Sequence, residues 1–154
     1  MRVHSFQSAK FLIDPHEDEA TNPFCYGKAL AEWLRQTFRE LGYEPEEVIP
    51  EDWGWCVVLK RRPFLLWIGC ANERTEMLRE VRPEEKERFI PDPKTFRWNC
   101  IVQAESPIWT SFFWRRALRL ADYGNAVSQV EAELAAVLRA EPGIHDFTFD
   151  TGDA

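Results

Sequence analysis

Two neighbouring apolar stretches dominate the hydrophobic pattern of the chain and predict a β-hairpin between residues 51 and 72. In the first, residues 55–60, apolar residues occupy alternate positions, as in a strand with one buried face. The second, residues 64–70, is apolar at nearly every position, which is typical of a strand covered on both faces. Pro63 lies between them, where a turn is expected. We therefore expect this hairpin to lie at the centre of the core.

Three further stretches predict strands. The best defined covers residues 95–103, where aromatic and aliphatic residues alternate with polar ones. An earlier strand is expected within residues 3–13, strongest over 9–13 and ending before Pro15, because proline cannot continue a strand ladder. Residues 144–149 alternate in the same way and predict a short edge strand at the end of the chain.

Helical spacing of apolar residues predicts three helices. The first is expected over residues 23–41, with Asn22 as its N-cap, a proline at its first position and Gly42 as its C-terminal stop. A second is expected over 107–121 and a third over 125–140, with a break between them. The order of elements predicts an α+β fold, with one mostly antiparallel sheet of four to five strands and about three helices packed mainly on one face.

The remaining segments complete this expected domain. Residues 43–52 are expected to form an extended connection into the hairpin, and 83–88 a short solvated helix. A chain of 154 residues fits one domain. We expect it to span residues 1–150, with a frayed tail over 151–154.

Charge narrows the set of partners. Nineteen basic and twenty-six acidic side chains give a formal net charge of −7, which disfavours nucleic acid and anionic membranes as partners. The same field would speed the encounter with a basic protein. No apolar run approaches the roughly 18 residues needed to cross a bilayer, and the N-terminus has no secretory apolar segment. We therefore expect a cytoplasmic protein.

No catalytic, cofactor or metal site is predicted from motifs. The chain contains no GxGxxG, Walker loop, GxSxG or HExxH sequence. Residues 16–19 include metal-ligand types, but they are consecutive and lack the spacing of a metal site, so we interpret them as a solvated acidic loop. The cysteines are widely spaced without a CxxC motif and are interpreted as buried free thiols. They are Cys25, Cys56, Cys70 and Cys100.

Acidic residues beside a tryptophan form the predicted partner-binding surface. Glu51 and Asp52 precede Trp53, a combination that can bind a lysine or arginine side chain through charge pairing and cation–π contact. The alternative is that these residues simply face water, with Asp52 bonded to nearby backbone amides. The predicted surface consists of Glu51, Asp52, Trp53, Glu46, Glu47, Glu17 and Asp18.

The tryptophans admit two interpretations. Trp55, Trp67 and Trp98 are expected in the core, whereas Trp53 fits a core or an exposed position equally well. Tryptophans that lined a pocket between the sheet and the helices would instead indicate a small-ligand-binding protein or an enzyme.

Three sequence segments resemble a group of small bacterial proteins of unassigned function. They are NPFCYGKALAEWL, PEDWGW and PFLLWIGCAN, which fall within positions 22–72. The resemblance implies a compact cytosolic domain and brings no catalytic residues with it. The chain is also similar in size and acidity, as a class, to immunity proteins that neutralise secreted toxins.

These observations favour a non-enzymatic interaction domain of a bacterial cytosolic protein, whose acidic surface binds a basic protein such as a toxin. The alternative is a small-ligand-binding protein or an enzyme with an aromatic-lined pocket. A third hypothesis is a homodimer, rather than a monomer, formed through an exposed edge of the hairpin or of the strand at residues 96–103.

Overall fold

The computed structural model describes residues 2–73, 92–105 and 113–150, and it describes side chains in all of these except 113–122. Within these residues the chain forms an α+β fold with a six-stranded sheet and two α-helices. The strands are β1 Val3–Gln7, β2 Ile49–Glu51, β3 Gly54–Lys60, β4 Leu65–Asn72, β5 Arg97–Glu105 and β6 His145–Asp150. The helices are α1 Lys28–Glu40 and α2 Phe113–Ala140.

All neighbouring strands are antiparallel, in the order β2-β3-β4-β5-β1-β6. The predicted hairpin is β3–β4 and lies inside the sheet, with Val57 opposite Ile68. The sheet has one strand more than the four to five expected, because β2 forms within the predicted connection. The edges are β2 and β6, so β5 lies between two strands and β2 covers β3 only over residues 54–56. The hypothesis of a homodimer stays a prediction.

The first strand and the second helix differ from their predicted bounds. β1 lies before the stretch 9–13 that carried the strongest strand signal, and Phe11 of that stretch is buried beside the ring of Trp98. Where a break between two helices was predicted, α2 continues through Gly124. The buried residues of the following turns hold this helix to the sheet, and one exposed glycine costs a helix only about 1 kcal/mol. The short helix predicted at 83–88 lies outside the described residues.

The segment before α1 is attached to the sheet. The helix begins at Lys28 rather than at residue 23. The backbone N–H of Tyr26 donates to Oδ1 of Asn72 at 2.8 Å, and the N–H of Asn72 donates to the carbonyl of Tyr26 at 3.1 Å. The N–H of Asn22 donates to the carbonyl of Asp52 at 3.2 Å. These bonds hold the chain in a non-helical conformation until Gly27, the residue at which α1 is capped.

Both helices pack on one face of the sheet, as predicted. Each contributes an apolar stripe, and the alternate residues of β3, β4, β5 and β1 supply the facing layer. The buried side chains that meet there include Leu30, Leu34, Phe38, Leu134, Leu138, Val57, Ile68, Trp55 and Trp98. The core prediction is confirmed for Trp55 and Trp98. It is wrong for Trp67, which is only partly buried and lies on the opposite face beside Val58.

All four cysteines are free and buried, as expected. Cys70 and Cys100 face each other across β4 and β5 within the core, and neither is exposed to solvent. Burial raises the pKa of the Cys70 thiol, and the hydrogen bond with Cys100 raises it further. Cys56 pairs with Gly69 and therefore points to the opposite face of the sheet from Cys70.

Candidate functional site

The face of the sheet turned away from the helices carries a cleft of about 340 Å³, which we call the outer-face cleft. Strands β2 to β5 and the turns beside them form it, because alternate residues of these strands point away from the core. The lining residues are Ile49, Glu51, Trp53, Cys56, Val58, Arg61, Leu65, Trp67 and Glu105. The cleft therefore combines an apolar floor, two tryptophans and both signs of charge.

A pair of tryptophans forms one wall of the outer-face cleft. The rings of Trp53 and Trp67 stack with centroids 5.5 Å apart and an interplanar angle of 29°. Gly69 makes this possible, since a Cβ there would lie 2.6 Å from the Trp53 ring. Trp53 remains 39% exposed, and the indole N–H of Trp67 donates to Oε1 of Glu105 at 3.0 Å. A large aromatic surface is thus held against the sheet in contact with solvent.

The turn between β2 and β3 determines where Trp53 lies. Gly54, the next residue, has φ +153°, a conformation that favours glycine. A Cβ on Gly54 would lie 2.5 Å from the carbonyl oxygen of Cys70, so the turn packs directly on the β4 backbone. The bond from Asn22 to the Asp52 carbonyl holds the turn from the other side. The residues on both sides of Trp53 are therefore fixed, Gly54 by packing on β4 and Asp52 by a hydrogen bond.

Negative charge predominates in the outer-face cleft. The pKa of the Cys56 thiol is raised to about 12, chiefly by burial and then by the charges of Glu51 and Glu105, while Arg61 acts in the opposite direction. Both carboxylates therefore act on the floor of the cleft. The Arg61 guanidinium is bound by Glu46 through two bonds of 2.6 and 2.8 Å. With that cation paired, Glu51 and Glu105 set the sign of the charge.

The same geometry limits the chemistry of Cys56. A thiol with a pKa of about 12 carries its proton at neutral pH, and a protonated thiol is a poor nucleophile. The structure thus gives the cleft binding groups, namely aromatic rings and carboxylates, rather than an activated nucleophile.

Three of the predicted surface residues lie together beside this cleft. Glu51, Asp52 and Trp53 are consecutive and exposed at the end of β2 and in the turn after it. Glu46 and Glu47 are also exposed, but each is paired with an arginine, Glu46 with Arg61 and Glu47 with Arg35. The Arg61 guanidinium lowers the pKa of the Glu46 carboxyl by hydrogen bonding to it. These two glutamates therefore contribute less free negative charge than the sequence indicated.

Glu17 and Asp18 are buried, so the interpretation of their segment as a solvated acidic loop is wrong for both. Oε1 of Glu17 accepts the backbone N–H groups of Gly27 and Lys28 at 2.6 and 3.1 Å. Oδ2 of Asp18 accepts the N–H of Phe24 at 2.7 Å. The physical reason is the cap of α1, because Gly27 has no side chain and Glu17 supplies the acceptor for the free N–H groups.

The sequence prediction missed three charged or aromatic residues of the cleft, namely Arg61, Trp67 and Glu105. Glu105 was overlooked because only the pairing of β4 with β5 places it beside Leu65. Arg61 was interpreted as part of a solvated basic group, and Trp67 as core. Gly69 offered the one available signal, since a glycine within an apolar strand often marks a close approach of another group.

A second cleft lies between the sheet and the helices and has a volume of about 320 Å³. It is formed by the end of α1, α2 and strands β3 and β4. Its lining includes Tyr43, Lys60 and Glu133, and the Tyr43 hydroxyl donates to Oε2 of Glu133 at 2.7 Å. Its lining contains no tryptophan, so the expected aromatic pocket between sheet and helices does not correspond to this cleft. The tryptophan-lined cleft is on the other face.

Among residues 2–73, 92–105 and 113–150, no group of three or more histidine, cysteine, aspartate or glutamate side chains is placed to hold a metal ion. Neither described helix is long and apolar enough to cross a membrane. The resemblance to small bacterial proteins stays a prediction, because comparison of this chain with family models, curated proteins and solved structures found no match.

Proposed function

We propose that this chain is a non-enzymatic protein-interaction domain of a bacterial cytosolic protein, and that it binds a basic protein through the outer-face cleft and the adjoining turn. The observation that carries the proposal is the exposed Trp53 stacked on Trp67, with Glu51 and Asp52 on one side and Glu105 on the other. Aromatic residues with partly exposed rings are the usual anchors of protein interfaces.

Charge supports a basic partner. The net charge of −7 attracts cationic surfaces over a range of about a Debye length, roughly 8 to 10 Å at physiological salt. Near the cleft, the paired Arg61 does not cancel Glu51 and Glu105. A basic toxin neutralised by an immunity protein belongs to this class of partner, and the size and acidity of the chain fit that role.

The test compares two charge reversals of equal size. Glu51→Lys changes the cleft, whereas Glu40→Lys lies on α1, on the other side of the sheet. A partner is first recovered from host lysate at low salt and then titrated, purified, against each variant by calorimetry. We expect Glu51→Lys to weaken binding at least about tenfold and Glu40→Lys to weaken it by less than about threefold. Equal losses would mean that only the overall charge matters and would refute a site at the cleft.

The second candidate function is the binding of a small ligand in the outer-face cleft. Its volume of about 340 Å³ lies at the lower end of the roughly 300 to 1,000 Å³ typical of small-molecule sites. A thermal-shift screen with metabolites tests this function, because a ligand that binds the folded chain raises its Tm as the ligand concentration rises. A Trp53→Ala variant that kept the whole shift would exclude the cleft as the site.

A further inference from the structure

We propose that the outer-face cleft is an arginine site, which takes one guanidinium side chain of the partner against the Trp53–Trp67 pair and onto the carboxylate of Glu105, while Glu51 adds negative charge at the other end of the cleft. The proposal rests on the function proposed above and specifies what the cleft recognises. It can fail while that function stands, since a basic protein can also dock through its overall charge.

The shape of the cleft suits a long side chain with a charged end. Val58 and Leu65 line it with apolar groups that can cover the methylene stem. Long cationic side chains commonly bury their stems in this way while the charged head remains at a polar rim. The stacked rings provide a flat wall on which a guanidinium can lie, and cations prefer the face of tryptophan to that of other aromatic residues.

One carboxylate, that of Glu105, is placed to receive the charged end. Glu105 of β5 pairs with Leu65, whereas Glu51 of β2 pairs with Gly54 at the other end of the cleft, so Glu51 acts on the guanidinium only through its charge. The bond from Trp67 uses only part of the acceptor capacity of Glu105, because a carboxylate offers about four lone-pair sites. The bond also fixes the Trp67 ring and the Glu105 carboxylate relative to each other.

Among the residues that the structure describes, the one arginine that lines the outer-face cleft is already paired with a carboxylate. Arg61 donates from Nε and Nη2 to the two oxygens of Glu46, in the paired geometry that arginine and carboxylate prefer. This pairing with Glu46 offsets part of the positive charge that Arg61 brings to the cleft.

Arginine fits better than lysine for two reasons. Its guanidinium is planar and stacks on an indole, whereas an ammonium group is compact and strongly hydrated. It also carries five N–H donors in a fixed fork, so it can bond to both oxygens of one carboxylate. A flat aromatic wall beside the Glu105 carboxylate matches this fork.

The test uses three blocked tripeptides that differ in one side chain. They are acetyl-Gly-Arg-Gly-amide and its lysine and citrulline counterparts, where citrulline has nearly the shape of arginine without its charge. Binding is followed by two-dimensional NMR through the indole N–H signals of Trp53 and Trp67, assigned with single Trp→Phe variants. We expect saturable shifts of these two signals with the arginine peptide, and affinity at least about tenfold lower for citrulline and about threefold lower for lysine.

Two variants test the geometry without removing charge. Trp53→Ala deletes the outer ring. Gly69→Ala keeps every aromatic side chain but places a Cβ where the Trp53 ring now lies, which forces that ring off the sheet. Both should lower affinity for the arginine peptide about tenfold.

Glu105→Gln keeps the acceptor for Trp67 and removes the charge, and it should lower affinity about fivefold. Glu40→Gln, on α1, is the control and should leave affinity unchanged.

Equal binding of arginine and citrulline peptides would overturn the proposal, as would equal binding of arginine and lysine. An arginine affinity that Gly69→Ala and Trp53→Ala leave intact would overturn it too. If any of these results occurred while Glu51→Lys still weakened binding of the protein partner, the arginine site would be refuted and the interaction function would stand. If the peptides failed to discriminate and Glu51→Lys also left partner binding unchanged, both proposals would be refuted.

Discussion

Buried His4 makes the stability of this protein depend on pH. Its side chain is completely buried on β1, and neither ring nitrogen has a hydrogen-bond partner among the described residues. Its ring packs against those of Phe147 and Phe149, at centroid distances of 6.0 and 4.9 Å. Burial lowers the pKa of His4 from 6.5 to about 4, and the charges of Arg139 and then Arg2 contribute to the same direction. The folded protein therefore resists protonation that the unfolded chain accepts.

The sign and size of the effect follow from linkage. Because the pKa of His4 is lower in the folded state, its contribution to stability is fully present above about pH 6.5 and is lost as the pH falls towards 4. Between pH 8 and pH 5, a drop in pKa from 6.5 to about 4 corresponds to a loss of about 2 kcal/mol in the free energy of unfolding. The full shift corresponds to about 3 kcal/mol.

The assay is urea unfolding at constant ionic strength between pH 5 and pH 8, for wild type, His4→Leu and His145→Gln. His4→Leu removes the buried titrating group, so its free energy of unfolding should fall about 2 kcal/mol less over this range than that of wild type. His145 is exposed on β6, and its replacement should leave the wild-type dependence in place. Carboxylates are common to all three proteins and cancel in the comparison. If wild type and His4→Leu lost the same stability, the assignment to His4 would be refuted.

Five further substitutions test the fold, each by urea unfolding at pH 7. Gly54→Ala should cost at least about 2 kcal/mol, because its Cβ would meet the Cys70 carbonyl, whereas Gly124→Ala should stabilise α2 by about 1 kcal/mol. Glu17→Ala should cost about 2 to 4 kcal/mol by leaving two amides unbonded, and exposed Glu19→Ala less than about 0.5. Tyr43→Phe should cost about 1 kcal/mol through loss of its bond to Glu133. A larger loss of unfolding free energy for Gly124→Ala than for Gly54→Ala, or for Glu19→Ala than for Glu17→Ala, would contradict the described packing.

Periodicity predicts the elements whose burial is one-sided or complete. The hairpin β3–β4, strand β5 and helix α1 were found where the apolar pattern placed them, apart from their ends. β2 escaped prediction because a three-residue strand containing Pro50 has no period of its own and exists only through pairing with β3. The start of α1 was mispredicted for a similar reason. Asn22 and a following proline are good local signals, but the bonds of the segment to β4 and to the β2–β3 turn override them.

The candidate site could be predicted only in part, because it is assembled by pairing between strands. Trp53 and its acidic neighbours are adjacent in sequence and were recognised together. Glu105 joins them only through the register of β4 and β5, which the sequence does not specify. The acidic residues 16–19 were mispredicted for a related reason. In sequence, buried Glu17 looks like exposed Glu19, and only the folded position of Gly27 gives Glu17 a backbone N–H to accept and turns it inward.

The segment from residue 22 to residue 27 forms neither helix nor strand, yet it is attached to the rest of the protein like a core element. Its amides bond to Asp18, Glu17, Asn72 and the β2–β3 turn, and Gly27 packs so closely on β4 that a Cβ would lie 2.8 Å from the Cys70 carbonyl oxygen. Opening this segment therefore requires α1 and the centre of the sheet to separate together. Its amide hydrogens should exchange with solvent as slowly as those of β4, and a peptide tag inserted here would disrupt folding, unlike one placed at the exposed His16.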